Sequence, residues 1–215
     1  MTKKVATQEA DIQDVSVSTI PVQELSQVDN TSLGVVLTRI AFVFLIGGFA
    51  GWLYEVCICA PLNGVPIDFG HGGLGIPFLM IYAIGSVAIE LAFGLGRQQF
   101  HPAIQLIESA VLATALEYAS GLTMLHVLQV QTWDYRIPGW DFLVTPDGLI
   151  CLRASLTFGL MGLLQLRGVG KLYEWLVAKH YRVLVVIIWV LVGVVVLAML
   201  NAFLFHAIDT GGTWH

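Results

Sequence analysis

The chain has 215 residues, of which 57% are hydrophobic and only 12% charged, and its mean hydropathy is +0.80. Soluble proteins contain about 45–50% apolar and about 25% charged residues, and they cannot hide so much apolar surface. The formal net charge of −5 argues against nucleic acid as a partner. The composition therefore predicts a membrane protein that crosses the lipid bilayer several times.

The first 33 residues are polar and rich in Ser, Thr and Gln, and they lack an apolar run with a cleavage site. They predict a disordered cytoplasmic tail rather than a signal peptide. Five apolar runs follow, each long enough to cross a hydrocarbon core, which takes about 20 helical residues. We predict an all-α, polytopic membrane helix bundle with about five transmembrane helices, and residues 34–215 as its transmembrane domain. The predicted spans lie near 35–58, 73–96, 102–125, 149–168 and 183–205.

Local residue patterns add detail to these spans. Gly47 and Gly51 in the first run are one helical turn apart, a spacing that favours close helix packing. Pro102 can open the third helix, where its missing N–H is not needed. The long segment 126–148 interleaves aromatic and acidic residues, and we predict that it folds back over the helix ends as a lid.

The distribution of Lys and Arg predicts the orientation. With a cytoplasmic N-terminus, most of these residues fall on the cytoplasmic side, and only Arg136 and Arg153 lie outside. We therefore predict a multi-pass protein of the plasma membrane with a cytoplasmic N-terminus and an extracytoplasmic C-terminus.

Each ionisable side chain inside a span raises the free energy of membrane insertion by about 2.5–3.5 kcal/mol, so its presence there indicates a structural or functional role. Glu55, Glu117 and Arg153 fall in one outer layer, and we predict that they form an outward-facing polar site with Asp134 and Tyr135 above them. Arg153 would keep one carboxylate ionised while the other exchanges protons. The alternative is that Arg153 pairs with one glutamate and only ties helices together.

Two more glutamates, Glu90 and Glu108, fall in the inner half of the spans. We interpret them as protonated, or as close enough to the inner face to reach water. Glu108 and Glu117 are separated by a rotation of about 900° on an α-helix, so they lie on opposite faces.

The remaining candidates for chemistry are three cysteines. We interpret Cys57, Cys59 and Cys151 as buried structural residues, with a disulfide, or a metal bound together with His71 or His126, as alternatives. We expect no metal and no cofactor. The chain has no Walker A loop and no hydrolase motif, so we do not expect it to be an enzyme that cleaves ATP by itself.

Several short motifs occur in a fixed order along roughly residues 45–160. They are Gly51-Trp52-Leu53-Tyr54-Glu55, Ile81-Tyr82, Glu117-Tyr118, Trp133-Asp134-Tyr135 and Gly148-Leu149-Ile150-Cys151-Leu152. This order resembles the family of bacterial membrane proteins called Putative ABC-transporter type IV (CmpB-like). The resemblance implies a permease subunit that works with a separate ATPase subunit or by self-association.

The chain departs from this family's pattern at three places: His71 and Leu149 stand in the positions of arginines, and Met80-Ile81-Tyr82-Ala83 replaces Pro-Ile-Tyr-Gly. If those arginines bind an anion, this chain is not expected to do so. With the motif residues included, the predicted polar site consists of Trp52, Tyr54, Glu55, His71, Glu117, Trp133, Asp134, Tyr135 and Arg153.

Two other functions remain alternatives to a transport component. One is a membrane enzyme that acts on a lipid-type substrate at the outer leaflet, which the cluster of acids and aromatic residues favours. The other is a membrane assembly factor without chemistry of its own.

Overall fold

A computed structural model of the chain describes residues 33–95 and 100–204. Within these residues all regular secondary structure is helical, as predicted. The helices are α1 (Leu33–Leu62), α2 (Met80–Gly94), α3 (Pro102–His126), α4 (Leu152–Leu164) and α5 (Gly170–Leu204). Most of the predicted N-terminal tail, Arg97 and the predicted extracytoplasmic C-terminus lie outside the described residues.

Three π-helical turns interrupt the α-helical geometry. They are Glu55–Cys59 in α1, Glu90–Gly94 at the end of α2, and Gln165–Val169 between α4 and α5. The last one joins α4 to α5 without a break, and the resulting helix bends at His180. Single π turns of this kind often mark functional sites, and each of these begins at a polar residue.

Helices α1 and α2 pack closely and run in opposite directions. A side chain on Gly47 would collide with Ser86, and a side chain on Gly51 would collide with Tyr82. Residue numbers thus increase along α1, from Gly47 to Gly51, while those of the contacted residues on α2 decrease, so the two helices are antiparallel. The predicted close approach at these glycines is confirmed, and small residues are what allow it.

Helices α3 and α4 form a second antiparallel pair. Gly159 lies against Leu106 and Ala110, and Gly162 lies against Ser109. A hydrogen bond from Thr114 Oγ1 to Ser155 Oγ, 2.9 Å long, joins the two helices closer to the other end.

Helix α5 packs along α1 in two stages. Before its bend, Tyr173 donates a hydrogen bond to the carbonyl oxygen of Val35 (3.1 Å), and its ring contacts Phe42. After the bend, Ile188 packs in the same cluster as Phe42, and Val195 packs with Phe78 beside Leu45. The part of α5 that follows His180 therefore runs in the same direction as α1.

Two helical stretches, Leu33–Leu62 and Leu152–Leu204, are long and apolar enough to cross a membrane. The second contains most of two predicted spans, residues 152–168 and 183–204, and continues helically between them. Its start lies at Leu152, because Cys151 has an extended backbone and its sulfur accepts a hydrogen bond from the Ala154 N–H.

The shorter apolar helix α2 begins at Met80, whereas the predicted span began at residue 73. Glycines explain the difference, because Gly72, Gly73 and Gly75 have φ angles of 104°, 68° and 67°. Such left-handed backbone conformations are incompatible with a right-handed helix and are readily adopted only by glycine.

The close contact between α1 and α2 predicts a strong effect of bulk at Gly47. We expect Gly47→Leu to lower the stability of the folded protein by about 1–3 kcal/mol or more, because the new side chain displaces Ser86. Thermal unfolding in detergent measures the change. Gly34→Leu on the same helix is the control, since an added Cβ there meets no atom within 4 Å. Equal melting of the two variants would contradict this packing.

Candidate functional site

A cavity with a volume of about 600 Å³ lies between α1, α2, α3 and α4. The segment 127–151, here called the cap segment, contributes residues to one end of it, and this end is called the outer end below. Most lining side chains are apolar. The carboxylates of Glu55 and Glu117, here called the two cavity carboxylates, line it from the helices, and that of Asp134 lies at its rim.

Glu117 projects from the middle of α3 and is only 7% exposed. Its Oε1 accepts a hydrogen bond from the hydroxyl of Tyr135, 2.7 Å away, whereas Oε2 has no hydrogen-bond partner among the described residues. Glu117 therefore points into the protein. The small residue one turn further along, Gly121, is covered by Leu149 and Trp133 of the cap segment rather than by another helix.

Glu55 is the first residue of the π turn in α1. Its Oε1 accepts a hydrogen bond from the hydroxyl of Tyr82 on α2. Each of the two cavity carboxylates is therefore held by a tyrosine hydroxyl from a different element. Neither forms an ion pair with a Lys or Arg of residues 33–95 or 100–204.

Tyr135 is the link between the cap segment and the carboxylates. Burial, followed by the charge of Glu117 and its hydrogen bond, raises the pKa of Tyr135 well above its usual value. Its hydroxyl consequently remains protonated at neutral pH and can act as the donor to Glu117. The charge of Glu55 raises the pKa of Tyr135 further, so both carboxylates act on the same phenol.

Aromatic rings form much of the remaining wall. Tyr82 meets Tyr54 and Phe158 edge-on, with ring centroids 6.4 Å and 6.2 Å apart. Tyr135 stacks on Trp140 at 5.5 Å. All of these rings line the cavity.

Arg153 does not join the glutamates. Its guanidinium lies over the ring of Trp140, 4.1 Å from the centroid, and Nη1 donates a hydrogen bond to the carbonyl oxygen of Gly139 (3.0 Å). Arg153 therefore pairs with neither glutamate. Both roles predicted for such a pair are wrong: that it keeps one carboxylate ionised, and that it only ties helices together. Helical side chains lean towards the N-terminus of their helix, and for Arg153 this direction leads to the cap segment.

A family model described as Putative ABC-transporter type IV matches residues 42–204. The chain belongs to this family. The match covers α1 from its third turn onward, all of the cavity and all of α5, so it confirms the resemblance seen in the motifs. No curated protein and no solved structure matches the chain.

The motif Trp133-Asp134-Tyr135 lies outside regular secondary structure, and its side chains point in different directions. Tyr135 turns inward to Glu117, whereas Asp134 bonds to Arg136 at the surface, with Nη2 to Oδ2 at 2.5 Å. This guanidinium holds the pKa of Asp134 below its usual value. Asp134 lies at the rim of the cavity, but its charge is already balanced by Arg136.

Other predicted site residues divide into two groups. Tyr54, His71 and Trp133 line the cavity, and Trp133 also donates from Nε1 to the carbonyl oxygen of Leu149 (3.1 Å). Trp52 does not line it, because it packs between Phe49 and Phe69 on another face of α1.

Several cavity residues were not predicted as site residues, above all Tyr82, Cys59, Trp140 and Phe158. For Tyr82 a signal existed, since it is a hydroxyl-bearing residue within an otherwise apolar run and belongs to a family motif. Cys57, Cys59 and Cys151 are free, with Cys57 exposed and the other two buried, so the disulfide alternative is not realised.

Glu90 has a different environment from the cavity glutamates. It is fully buried and pairs with Arg39 of α1, with Nε and Oε1 at 2.6 Å, while Arg39 also approaches the exposed Glu174 at 3.5 Å. Glu90 is therefore not a protonated or water-exposed residue, as interpreted from the sequence, but the partner of Arg39 in a buried ion pair. Glu108 does not line the cavity, in agreement with its predicted position on the opposite face of α3 from Glu117.

The buried ion pair predicts an asymmetric mutational response. Arg39→Met leaves the Glu90 carboxylate buried without its cation, and we expect a loss of about 3–5 kcal/mol. The double variant Arg39→Met/Glu90→Met should recover most of this loss, because no charge is then stranded. Unfolding in detergent measures both. Glu174→Gln is the control, with an expected change of about 0–1 kcal/mol because the pair is exposed. A double variant that melts no higher than Arg39→Met would refute the assignment.

The cap segment is tied to α1 by a hydrogen bond from Trp140 Nε1 to Asn63 Oδ1 (2.6 Å). Cys59 is buried in the same cluster as Trp140. In a Cys57→Ser background, we expect Asn63→Ala to speed maleimide labelling of the two remaining buried thiols, Cys59 and Cys151, by about two- to tenfold, since one net hydrogen bond contributes about 0.5–1.5 kcal/mol. Thr123→Ala, which removes a bond within α3, is the control. Unchanged labelling in Asn63→Ala would show that this bond does not hold the cap segment down.

Proposed function

We propose that this chain is a multi-pass membrane transport component of permease type, and that it binds its substrate in the cavity between α1, α2, α3 and α4. The observation that carries this proposal is the cavity itself, which has a volume of about 600 Å³. Small-molecule sites in proteins measure about 300–1,000 Å³ and are mostly apolar with a few placed polar groups. Membership in a family described as an ABC transporter supports transport over the enzyme and assembly alternatives.

The helix directions support five membrane crossings. Helices α1 and α2 are antiparallel, α3 and α4 are antiparallel, and the part of α5 after His180 runs with α1. The part of α5 before His180 then lies at the inner face as a connection between the fourth and fifth crossings. It carries exposed Lys171, Trp175 and Lys179, which suit a headgroup region. We propose a plasma-membrane protein with a cytoplasmic N-terminus on these grounds.

The energy source is proposed to lie outside this chain. These 215 residues contain no Walker A loop, while the family description implies ATP-driven transport. A separate ATPase subunit, or a second copy of the chain that completes the pathway, would then act with it at the cytoplasmic face.

A cavity-filling variant tests the transport proposal. Gly85 lines the cavity, and a Cβ added there meets no atom within 4 Å, so Gly85→Leu fills space without a clash. We expect Gly85→Leu to fold normally and to lose transport by about tenfold or more, because the leucine occupies substrate space. Untargeted mass spectrometry of solutes in cells and medium, compared with cells that lack the protein, supplies the readout without assuming a substrate.

The matched control is Gly193→Leu on α5, where an added Cβ also meets no atom within 4 Å but the position does not line the cavity. It should leave the solute profile at the wild-type level. A Gly85→Leu variant with a wild-type profile would reject the cavity as the transport site.

A further inference from the structure

The cavity has an unusual balance of charge, which suggests the class of its ligand. Its described lining contains three carboxylates and no Lys or Arg: those of Glu55 and Glu117, and that of Asp134 at the rim, which is already paired with Arg136. We infer that its ligand is an organic cation with an apolar body, held between the two cavity carboxylates. The inference rests on the proposed function, since it takes this cavity to be the transport site.

The arginines nearest to the cavity are engaged elsewhere. Arg39 pairs with Glu90, Arg136 pairs with Asp134, and Arg153 bonds to the carbonyl oxygen of Gly139. None of these bonds includes a cavity carboxylate. His71 is a further lining residue that can carry a positive charge. Beyond His71, the positive charge that the carboxylates of Glu55 and Glu117 require in an apolar cavity must come from a ligand or from protons.

The hydrogen-bonding capacity of the cavity also favours a positively charged ligand. Tyr82 and Tyr135 have each already donated their one hydroxyl proton, to Glu55 and Glu117. Glu117 Oε2 is buried and has no partner among the described residues, so an acceptor is left open. An anionic ligand would bring further hydrogen-bond acceptors to carboxylates that are themselves acceptors. A cation would instead supply the positive charge that these carboxylates lack.

The walls suit a cation that carries apolar groups. Cations are attracted to the faces of aromatic rings, and sites for quaternary ammonium ions are commonly cages of such rings. Here the rings of Tyr54, Tyr82, Tyr135, Trp140 and Phe158 line the same cavity as the carboxylates. The remaining apolar wall can cover a hydrocarbon body, and the volume of about 600 Å³ leaves room for it.

Two probes with the same shape and opposite charge test this inference directly. Tetraphenylphosphonium is a cation and tetraphenylborate is an anion of nearly the same size. We expect the purified full chain in lipid nanodiscs to bind the phosphonium at least about tenfold more tightly than the borate, as measured by isothermal titration calorimetry. Equal or tighter binding of the borate would overturn the inference without any mutation.

Variants then assign the binding to the carboxylates. Glu55→Gln and Glu117→Gln should each weaken phosphonium binding by about tenfold, because each removes one negative charge from the cavity. Glu108→Gln is the matched control on the same helix, since Glu108 does not line the cavity. A Glu55→Gln/Glu117→Gln double variant that keeps wild-type affinity would assign the two carboxylates to protons alone and overturn the inference.

The phosphonium-binding test and the transport test can succeed or fail independently of each other. If Gly85→Leu stops transport but the phosphonium does not bind, the transport proposal stands and the cation inference falls. If the phosphonium binds through Glu55 and Glu117 while Gly85→Leu transports normally, the cation site stands and the transport proposal falls.

Discussion

Polar side chains buried in an apolar helix bundle must find their partners inside the protein, because the surrounding hydrocarbon offers none. Three such residues, Glu55, Glu90 and Gln165, each begin a π-helical turn. Each is bonded to a neighbouring helix: Glu55 to Tyr82, Glu90 to Arg39, and Gln165 to the carbonyl oxygen of Ser86. The bundle around the cavity is therefore organised by hydrogen bonds that cross between helices at these points.

The buried acids fall into two electrostatic classes with different consequences. Glu90 is neutralised by Arg39 within the protein, and its contact ties α1 to α2. Glu55 and Glu117 accept hydrogen bonds from tyrosine hydroxyls, form no ion pair with a Lys or Arg of the described residues, and face a cavity. A neutralised pair serves mainly to hold helices in one arrangement, whereas carboxylates without a cation remain able to bind one or to exchange protons. This difference supports the proposal that the cavity carboxylates, rather than Glu90, take part in binding.

The cap segment is hydrogen-bonded both to α3 and to the end of α1. Its Tyr135 reaches Glu117 on α3, and its Trp140 reaches Asn63 at the end of α1. The guanidinium of Arg153 lies against the Trp140 ring of the cap segment instead of entering the cavity. A positive charge placed to hold the cap segment leaves the cavity acidic, which is the property from which the ligand class is inferred.

The sequence by itself determined the all-helical fold, the close approach at Gly47 and Gly51, the family, and the placement of Glu108 and Glu117 on opposite faces of one helix. These follow from local properties: apolar run length, residue size and helical periodicity. It did not determine the start of α2, which depends on the left-handed backbone of Gly72, Gly73 and Gly75. Nor did it determine which charges pair. Arg39 and Glu90 are distant in the chain, and Arg153 is near Glu117 in depth yet bonds to the cap segment. Only tertiary structure decides such pairings, because a long charged side chain reaches several elements and bonds to the one that packing brings closest.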